Sequence, residues 1–397
     1  MKNVVLAAGY ATRMYPLTEN FPKPLLPVGD STILDKMLED VDALEEIDEH
    51  IIVTNHRFIK IFEDWLVVAS DRYAKPIRLL DDGSTSNDNR IGAVGDLVAA
   101  IREFDIKDDI LVAAADNLLD FSLASLVDFF KEKGTAVIFY YDEMDEVRLH
   151  RCGVICMDEN GRVTDMEEKP AEPKSHHVTP PFYIYSAKDI PLILSAIDNG
   201  CQWDAPGNLA GYISRVASLH ALRMPGSRLD IGSLDGYRAI SGKTLVAFFS
   251  PTGTTAAVAK DLADVTCGTL YEIKPEVKYT AADLDWRVKT SRSSVEMKDK
   301  NSRPAIVADL EDADSYKTIF IGFPVWWYTA PTIINTFIET YGFAGKTVIF
   351  FATSGGSDVT GADKQFAAQY PDINWKPGKL LNSYDKKSLA VWATSCK

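Results

Sequence analysis

Leu6-Ala7-Ala8-Gly9-Tyr10-Ala11-Thr12-Arg13-Met14, with Phe21-Pro22-Lys23-Pro24-Leu25 close behind, decides how the first half of this chain folds. Residues 3–8 are a short apolar run that reads as a buried strand ending at Gly9. A turn of small residues after a strand lets backbone N–H groups approach phosphate oxygens closely. Arg13 and Lys23 would add charge-assisted contacts to the same anion. A glycine turn alone is equally a plain strand-to-loop bend, so the weight falls on the rest of the chain.

Outward from that stretch, strand-like runs recur at 50–54, 109–115 and 135–141, separated by amphipathic stretches such as 31–46 and 122–133. Alternating strand and helix predicts a mostly parallel sheet with covered faces. Ligands of such sheets sit beyond the carboxyl ends of the strands, where 9–24 and 116–117 fall. A second start follows the polar Ser241-Gly242-Lys243: an apolar run at 244–249, a glycine-containing turn and a helix from about residue 255. Further strands are expected at 269–273, 317–323 and 346–352. The expected fold class is therefore α/β in two domains, 1–240 and 241–397.

The 397 residues are too many for one ordinary core. A composition 46% hydrophobic and 25% charged is that of a globular protein, with no low-complexity tract or solenoid repeat. The net charge of −15 argues against nucleic acid as a partner. Five cysteines without paired spacing fit a reducing compartment. Cys152 and Cys156 are expected on one face of a strand as a packed apolar pair, and His176 and His177 in a solvated loop. The apolar run 4–8 is too short for a signal peptide, and none approaches the ~20 residues that span a bilayer. These features predict a cytoplasmic protein without a membrane partner.

Three later segments continue the first motif in order: Ala113-Ala114-Ala115-Asp116-Asn117, Met166-Glu167-Glu168-Lys169-Pro170 after a hairpin-like 152–165, and Leu229-Asp230-Ile231-Gly232-Ser233 with Tyr237. Together they resemble the signature of the sugar-1-phosphate nucleotidylyltransferases over about residues 2–240. The resemblance implies a Rossmann-like sheet of GT-A type and an NTP held by Leu6, Ala7, Ala8, Gly9, Thr12, Gly92 and Gly95. Mg²⁺ would lie on Asp116 and Asp230, hard carboxylates suited to an ion that keeps waters and takes substrate phosphate oxygens. Arg13 and Lys23 would face the leaving pyrophosphate. Lys169, with Asn117, Glu168 and Thr179, would hold a phosphorylated small-molecule acceptor. The nucleophile, a phosphate oxygen, is already anionic, so catalysis is positioning and charge neutralisation.

Two departures leave the substrates open. Gly92-Ala93-Val94-Gly95 lacks the hydroxyl usual in the base-reading loop, and Thr179-Pro180-Pro181 stiffens the wall of the sugar pocket. The polar run Asp81 to Asn87 is a candidate reader of the base. The acceptor is a hexose phosphate, another sugar phosphate or a smaller phosphorylated alcohol.

In the second half, Ser250-Pro251-Thr252-Gly253-Thr254-Thr255 lies between strand and helix, with hydroxyls, a glycine and a helix amino terminus to bind a phosphate monoester. Gly322-Phe323-Pro324-Val325-Trp326-Trp327-Tyr328 and Thr353-Ser354-Gly355-Gly356-Ser357 follow two further strands. Exposed aromatics at strand ends suit a flat tricyclic ring. The trio resembles flavodoxin, with a doubly wound parallel sheet. That resemblance implies FMN, its phosphate on Ser250, Thr252, Gly253, Thr254 and Thr255. Pro324, Trp326, Trp327, Thr353, Ser354, Gly355 and Gly356 would flank the isoalloxazine, with one of the two tryptophans in the core. The flavin serves an electron carrier with a redox partner protein or an oxidoreductase with its own substrate. The expected whole is a nucleotidyltransferase fused to a flavin module. The alternatives are a silent nucleotide-binding half that regulates a flavin-dependent reductase, or a reductase whose substrate the first half supplies.

Overall fold

The computed structural model describes residues 1–29 and 31–396 in two compact units. The first comprises Met1–Thr12, Pro22–Leu26 and Asp30–Gly232; the second comprises Arg13–Phe21, Pro27–Gly29 and Ser233–Lys397. No described helix is long and apolar enough to cross a membrane.

The first unit is built on one twisted sheet. Its strands in chain order are β1 (Lys2–Leu6), β2 (Glu49–Thr54), β3 (Ile77–Asp81), β4 (Ile110–Ala114), β5 (Ala136–Asp142), β6 (Gly153–Met157), β7 (Val163–Glu168), β8 (His177–Thr179), β9 (Phe182–Tyr185) and β10 (Leu219–Arg223). Spatially they run β7-β6-β8-β5-β9-β4-β1-β2-β3, with β10 added to β5. The strand β1 pairs in parallel with β2 and β4, placing Val4 beside Ile51 and Val112. The expectation of a mostly parallel sheet holds for this half. It fails beyond β4, where β9 runs antiparallel between β4 and β5 and the hairpin β6–β7 extends the edge.

Val4, Ile51, Val53, Val112 and Ile138 face one way and pack on helices α3 (Gly92–Glu103) and α5 (Pro206–Val216). Their neighbours Val5, Ile52, Leu111 and Ala113 are fully buried on the opposite face, since side chains alternate along a strand. At about 25 cal/mol per Å² of apolar surface, this two-sided burial is the main term holding the sheet. The helix α1 (Ile33–Asp42), which precedes α2 (Ile59–Ala69) and α4 (Ala124–Lys133) in the chain, starts with a capping box: Asp35 N–H donates to Thr32 Oγ1 at 3.0 Å, and Thr32 N–H donates to Asp35 Oδ2 at 3.1 Å.

In the second unit all five strands are parallel: β11 (Lys243–Phe248), β12 (Thr269–Glu272), β13 (Tyr316–Pro324), β14 (Thr347–Thr353) and β15 (Asn374–Leu380). Their order, β12-β11-β13-β14-β15, is the flavodoxin order. Leu245 and Ala247 pack on one face with helix α7 (Ile333–Tyr341), while Val246 and Phe248 pack on the other with α6 (Thr254–Thr266) and α8 (Lys386–Ser395). The edge strand β15 gives no apolar alternation in the sequence. It carries Pro377 and Gly378, which only an edge tolerates, and its register slips between Ile349 and Phe351 of its partner.

Two local expectations are corrected. His177 lies in β8, not in a solvated loop, with Nδ1 2.7 Å from Asp142 Oδ1, while His176 stays in an exposed loop as expected, its Nδ1 3.0 Å from the Glu143 carbonyl. Cys152 precedes β6 and packs beside Leu149, Val154 and Val178, so it does not share a strand with Cys156. All five cysteines are free thiols.

Helix α3 buries an acid. Asp96 is 5% exposed, and its Oδ1 has no hydrogen-bond partner among the described residues. Burial and the neighbouring Asp82 push its carboxyl up to about 8. A carboxyl raised in the folded state favours folding fully below its unfolded value, near 3.8, and that contribution is lost as pH climbs through about 8. Asp96→Asn should therefore flatten the fall in stability between pH 4 and 8 and make the protein more stable at pH 8 by over ~1 kcal/mol. Urea denaturation at pH 5 and pH 8 measures this; unchanged pH dependence in the variant would refute the assignment.

Candidate functional site

The parallel core of the first unit sends its connecting loops out at one edge. Ala7 N–H donates to the Val53 carbonyl at 2.8 Å and Ala115 N–H to the Leu6 carbonyl at 3.2 Å, so the pairing continues just past the strand ends. Asn55 then pins the turn: its Nδ2 donates to the Ala8 carbonyl at 2.9 Å while its Oδ1 accepts from Phe58 N–H at 3.0 Å. A Cβ at Gly9 would meet nothing within 4 Å, so the turn faces open space. Thr12 and Arg13 follow on a single 3₁₀ turn and are both exposed.

Lys23, almost fully buried, holds its Nζ 2.9 Å from Asp116 Oδ2. The other oxygen, Oδ1, accepts from Asn117 Nδ2 at 2.7 Å. Residues Asn117–Leu119 pair antiparallel with Arg228–Asp230, which sets Asp230 directly opposite Asn117. Ile231 N–H donates to the Asp116 carbonyl at 3.2 Å. Residues more than a hundred positions apart thus bring two exposed or half-exposed carboxylates to one end of a short ladder. Among the described residues no group of three or more His, Cys, Asp or Glu is placed to hold an ion. Asp116 and Asp230 still suit Mg²⁺, whose shell is completed by water and phosphate oxygens rather than by a protein cage.

The sequence reading missed Arg228. Its Nη1 donates to Asn117 Oδ1 at 2.6 Å and its Nη2 to the Tyr141 hydroxyl at 2.9 Å. The signal was present: in a strand, Arg228 shares a face with Asp230, two residues on.

Glu168 ends β7, and Lys169 leaves it with φ +52°, the left-handed region that a long side chain rarely adopts. Lys169 N–H donates to the Cys152 carbonyl at 2.9 Å, and its Nζ lies 3.8 Å from Glu168 Oε1. Burial raises the Glu168 carboxyl, against the lowering effect of Lys169. Thr179, buried on β8, faces the same glycine, Gly153, as the Glu168 carboxylate. A cleft of about 630 Å³ opens beside them, lined by Glu168, Glu172, Lys174, Gly207, Asn208 and Arg215. Gly92, with φ +75°, starts α3, and Gly95 packs on Ile91 one turn back. In the 81–87 loop, Tyr10 and Ser84 share a hydrogen bond of 3.2 Å, and Ser84 donates to Asp82 at 2.7 Å.

In the second unit the three predicted loops leave adjacent parallel strands at their carboxyl ends. Ser250 Oγ accepts from Ala256 N–H at 3.0 Å, and Thr255 Oγ1 lies 2.9 Å from Thr353 Oγ1 in the interior. Those hydroxyls brace the first loop against the third. Thr252, Gly253 and Thr254 remain exposed at the amino terminus of the 13-residue helix α6, with Gly253 at φ +87° and free space where its Cβ would be. Pro324 is paired with Thr353. Trp326 packs edge-on against Phe249 and Tyr279, each at 5.7 Å, while Trp327 is 45% exposed, so one tryptophan is core and one is free to cover a ligand. Asn382, also missed, clamps Ser354: its Oδ1 accepts from Ser354 N–H at 2.8 Å, and its Nδ2 donates to the Ser354 carbonyl at 2.7 Å. Ser354 Oγ in turn accepts from Gly356 N–H at 3.2 Å, curling the 354–356 loop. Exposed hydroxyls, a helix amino terminus and an exposed indole fit a flavin mononucleotide.

Comparison with known proteins identifies the families of the two domains. The Nucleotidyl transferase family model matches residues 2–245, and the Flavodoxin model matches residues 243–396. A UTP–glucose-1-phosphate uridylyltransferase of Synechocystis sp. is 27% identical over 254 residues, 61% of this chain and 63% of that protein. This chain thus spans less than two thirds of that relative's length. A UDP-glucose pyrophosphorylase solved with UDP-glucose superposes with TM-score 0.51 at 18% identity, covering 60% of this chain and 96% of the other. A flavoprotein structure from Bacteroides uniformis is 58% identical, covering 38% of this chain and 97% of the other, with TM-score 0.37. The chain belongs to the nucleotidyl transferase family and carries a flavodoxin domain behind its transferase domain.

Proposed function

We propose that residues 1–240 transfer a nucleotidyl group from an NTP to a sugar 1-phosphate or a related phosphorylated small molecule, and that residues 241–397 bind FMN as a redox module. The observation that carries the first part is the Lys23–Asp116 pair at 2.9 Å with Asp230 in register beside it. An acceptor phosphate oxygen bonds to the α-phosphorus as the bond to the bridging oxygen breaks, and pyrophosphate leaves. Leu6 to Gly9 and Thr12 frame the triphosphate, while Arg13 and Lys23 neutralise the charge that the pyrophosphate gathers. Lys169, with Glu168, Asn117 and Thr179, fixes the acceptor. Asp116 and Asp230 would hold Mg²⁺, which offsets phosphate charge when bound.

In the second domain Thr252, Gly253 and Thr254 would take the FMN phosphate, and Trp327 with Ser354 to Gly356 the ring. The flavin, when bound, supplies electron transfer toward a redox partner protein or a substrate of its own. Five free thiols and a nucleotide substrate fit a reducing, cytoplasmic setting.

Pyrophosphate release from a panel of NTPs and acceptor phosphates tests the transferase. Asp116→Asn and Asp230→Asn should each cost at least ~100-fold in turnover with the fold intact. A variant near the normal rate at saturating Mg²⁺ rules its residue out as a ligand. Nucleotide binding without turnover in the unmutated protein would favour the silent, regulatory alternative.

The protein supplied with FMN should be yellow with quenched flavin fluorescence. Thr252→Ala combined with Thr254→Ala should weaken FMN at least ~10-fold, the loss of charge-assisted hydrogen bonds to a phosphate, and leave riboflavin nearly unchanged. Equal affinity of the unmutated protein for FMN and riboflavin would sink the phosphate-loop assignment.

A further inference from the structure

Gly207 occupies the second position of helix α5, where alanine is a better helix former than glycine. Its φ is not in the left-handed region, so the backbone does not call for glycine. Space does. A Cβ at Gly207 would overlap Glu168 Oε2 and lie 3.1 Å from the carboxyl carbon and 3.2 Å from Met166 Cε. On the strand side, a Cβ at Gly153 would lie 3.0 Å from the same oxygen and 3.1 Å from Thr179 Oγ1. The Glu168 carboxyl is thus held between two residues without side chains, one on β6 and one on α5, with 17% of its side chain exposed.

The segment just before Gly207 is tied to the candidate nucleotide side. Val94 N–H donates to the Trp203 carbonyl at 3.0 Å and Ala93 N–H to the Asp204 carbonyl at 3.4 Å. A Cβ at Gly92 would run into the Trp203 ring and carbonyl and come within 2.9 Å of Asp204 Cα. Residues 203–207 therefore touch the start of α3 with one end and frame Glu168 with the other. Asp204 is also close enough to add to the upward push on the Glu168 carboxyl, whose first cause is burial.

We propose that Gly207 is a specificity-determining residue for the phosphorylated acceptor: it sets the depth of the Glu168 carboxyl, and the 203–207 segment fixes that depth relative to the nucleotide-side helix. This rests on the transferase reading and on Glu168 accepting a hydrogen bond from an acceptor hydroxyl. A methyl group at 207 displaces the carboxyl toward the cleft and spoils its reach. Shortening Glu168 by one methylene restores room for it.

The test uses the full-length protein and steady-state pyrophosphate release with glucose 1-phosphate, mannose 1-phosphate and smaller phosphorylated alcohols. Gly207→Ala should raise the acceptor KM about tenfold or more, as loss of one charged hydrogen bond would. The NTP KM should stay within about twofold, with thermal stability unchanged or raised. Glu168→Asp in that background should recover much of the acceptor KM, although Glu168→Asp alone weakens the acceptor. An unchanged acceptor KM in folded Gly207→Ala, equal rises in both KM values, or no recovery in the double variant overturns the inference and leaves the transferase reading standing. Should Gly207→Ala not fold, Gly153→Ala replaces it, with a smaller shift in the same direction expected and no shift refuting the proposal. An unmutated protein that turns over no pair of NTP and acceptor refutes the transferase reading and this inference with it.

Discussion

In-register parallel pairing of a short first strand with its two neighbours is the constraint on which each unit depends. In the first, Lys2–Leu6 lies between Glu49–Thr54 and Ile110–Ala114; in the second, Lys243–Phe248 lies between Thr269–Glu272 and Tyr316–Pro324. Parallel strands end together, so their loops emerge together, and residues far apart in sequence arrive at one edge. A slip of one residue would send every side chain into the opposite helical layer, where its packing partners are of different size and shape. The strictly alternating burial of Leu245, Val246, Ala247 and Phe248 between two helical layers forbids that slip.

Much of this was legible in the sequence because the decisive signals are local. At Gly253 an apolar run, a glycine turn and a helix start lie within about fifteen residues, while at Gly9 an apolar run meets a turn of small residues, and the parallel cores follow from them. The antiparallel insertion of Phe182–Tyr185 was not legible as topology. A buried strand reads as the same apolar run whichever way its neighbours point. The strand Asn374–Leu380 was hidden for the opposite reason, since an edge strand can carry lysines, proline and glycine without an apolar face.

At the candidate sites the sequence reading named the charged residues more readily than those that hold them. Lys23, Asp116 and Asp230 stood out by type and motif. Arg228, which fastens Asn117 to Tyr141, and Asn382, which fastens Ser354, work by hydrogen bonds to partners known only after folding. Thr255 and Thr353 show the converse. Their hydroxyls looked like ligand donors, yet they bond each other in the interior and give the loop its stiffness. A loop at a strand end needs both exposed and bracing residues, and composition alone does not separate them.

Trp327 and Tyr328 sit at φ +45° and φ +65°, closing a two-residue turn between Trp326 and Thr329. Bulky residues there cost of order 1–2 kcal/mol each, where Asn-Gly would cost almost nothing. The chain thus gives up stability to keep two aromatic rings at the rim of the second sheet. Selection for a more robust fold alone would replace these residues early, trading the aromatic rim for an easier turn. Stability and the aromatic rim pull in opposite directions at this corner, and a thermostabilised version of the domain would reveal the conflict by what it loses.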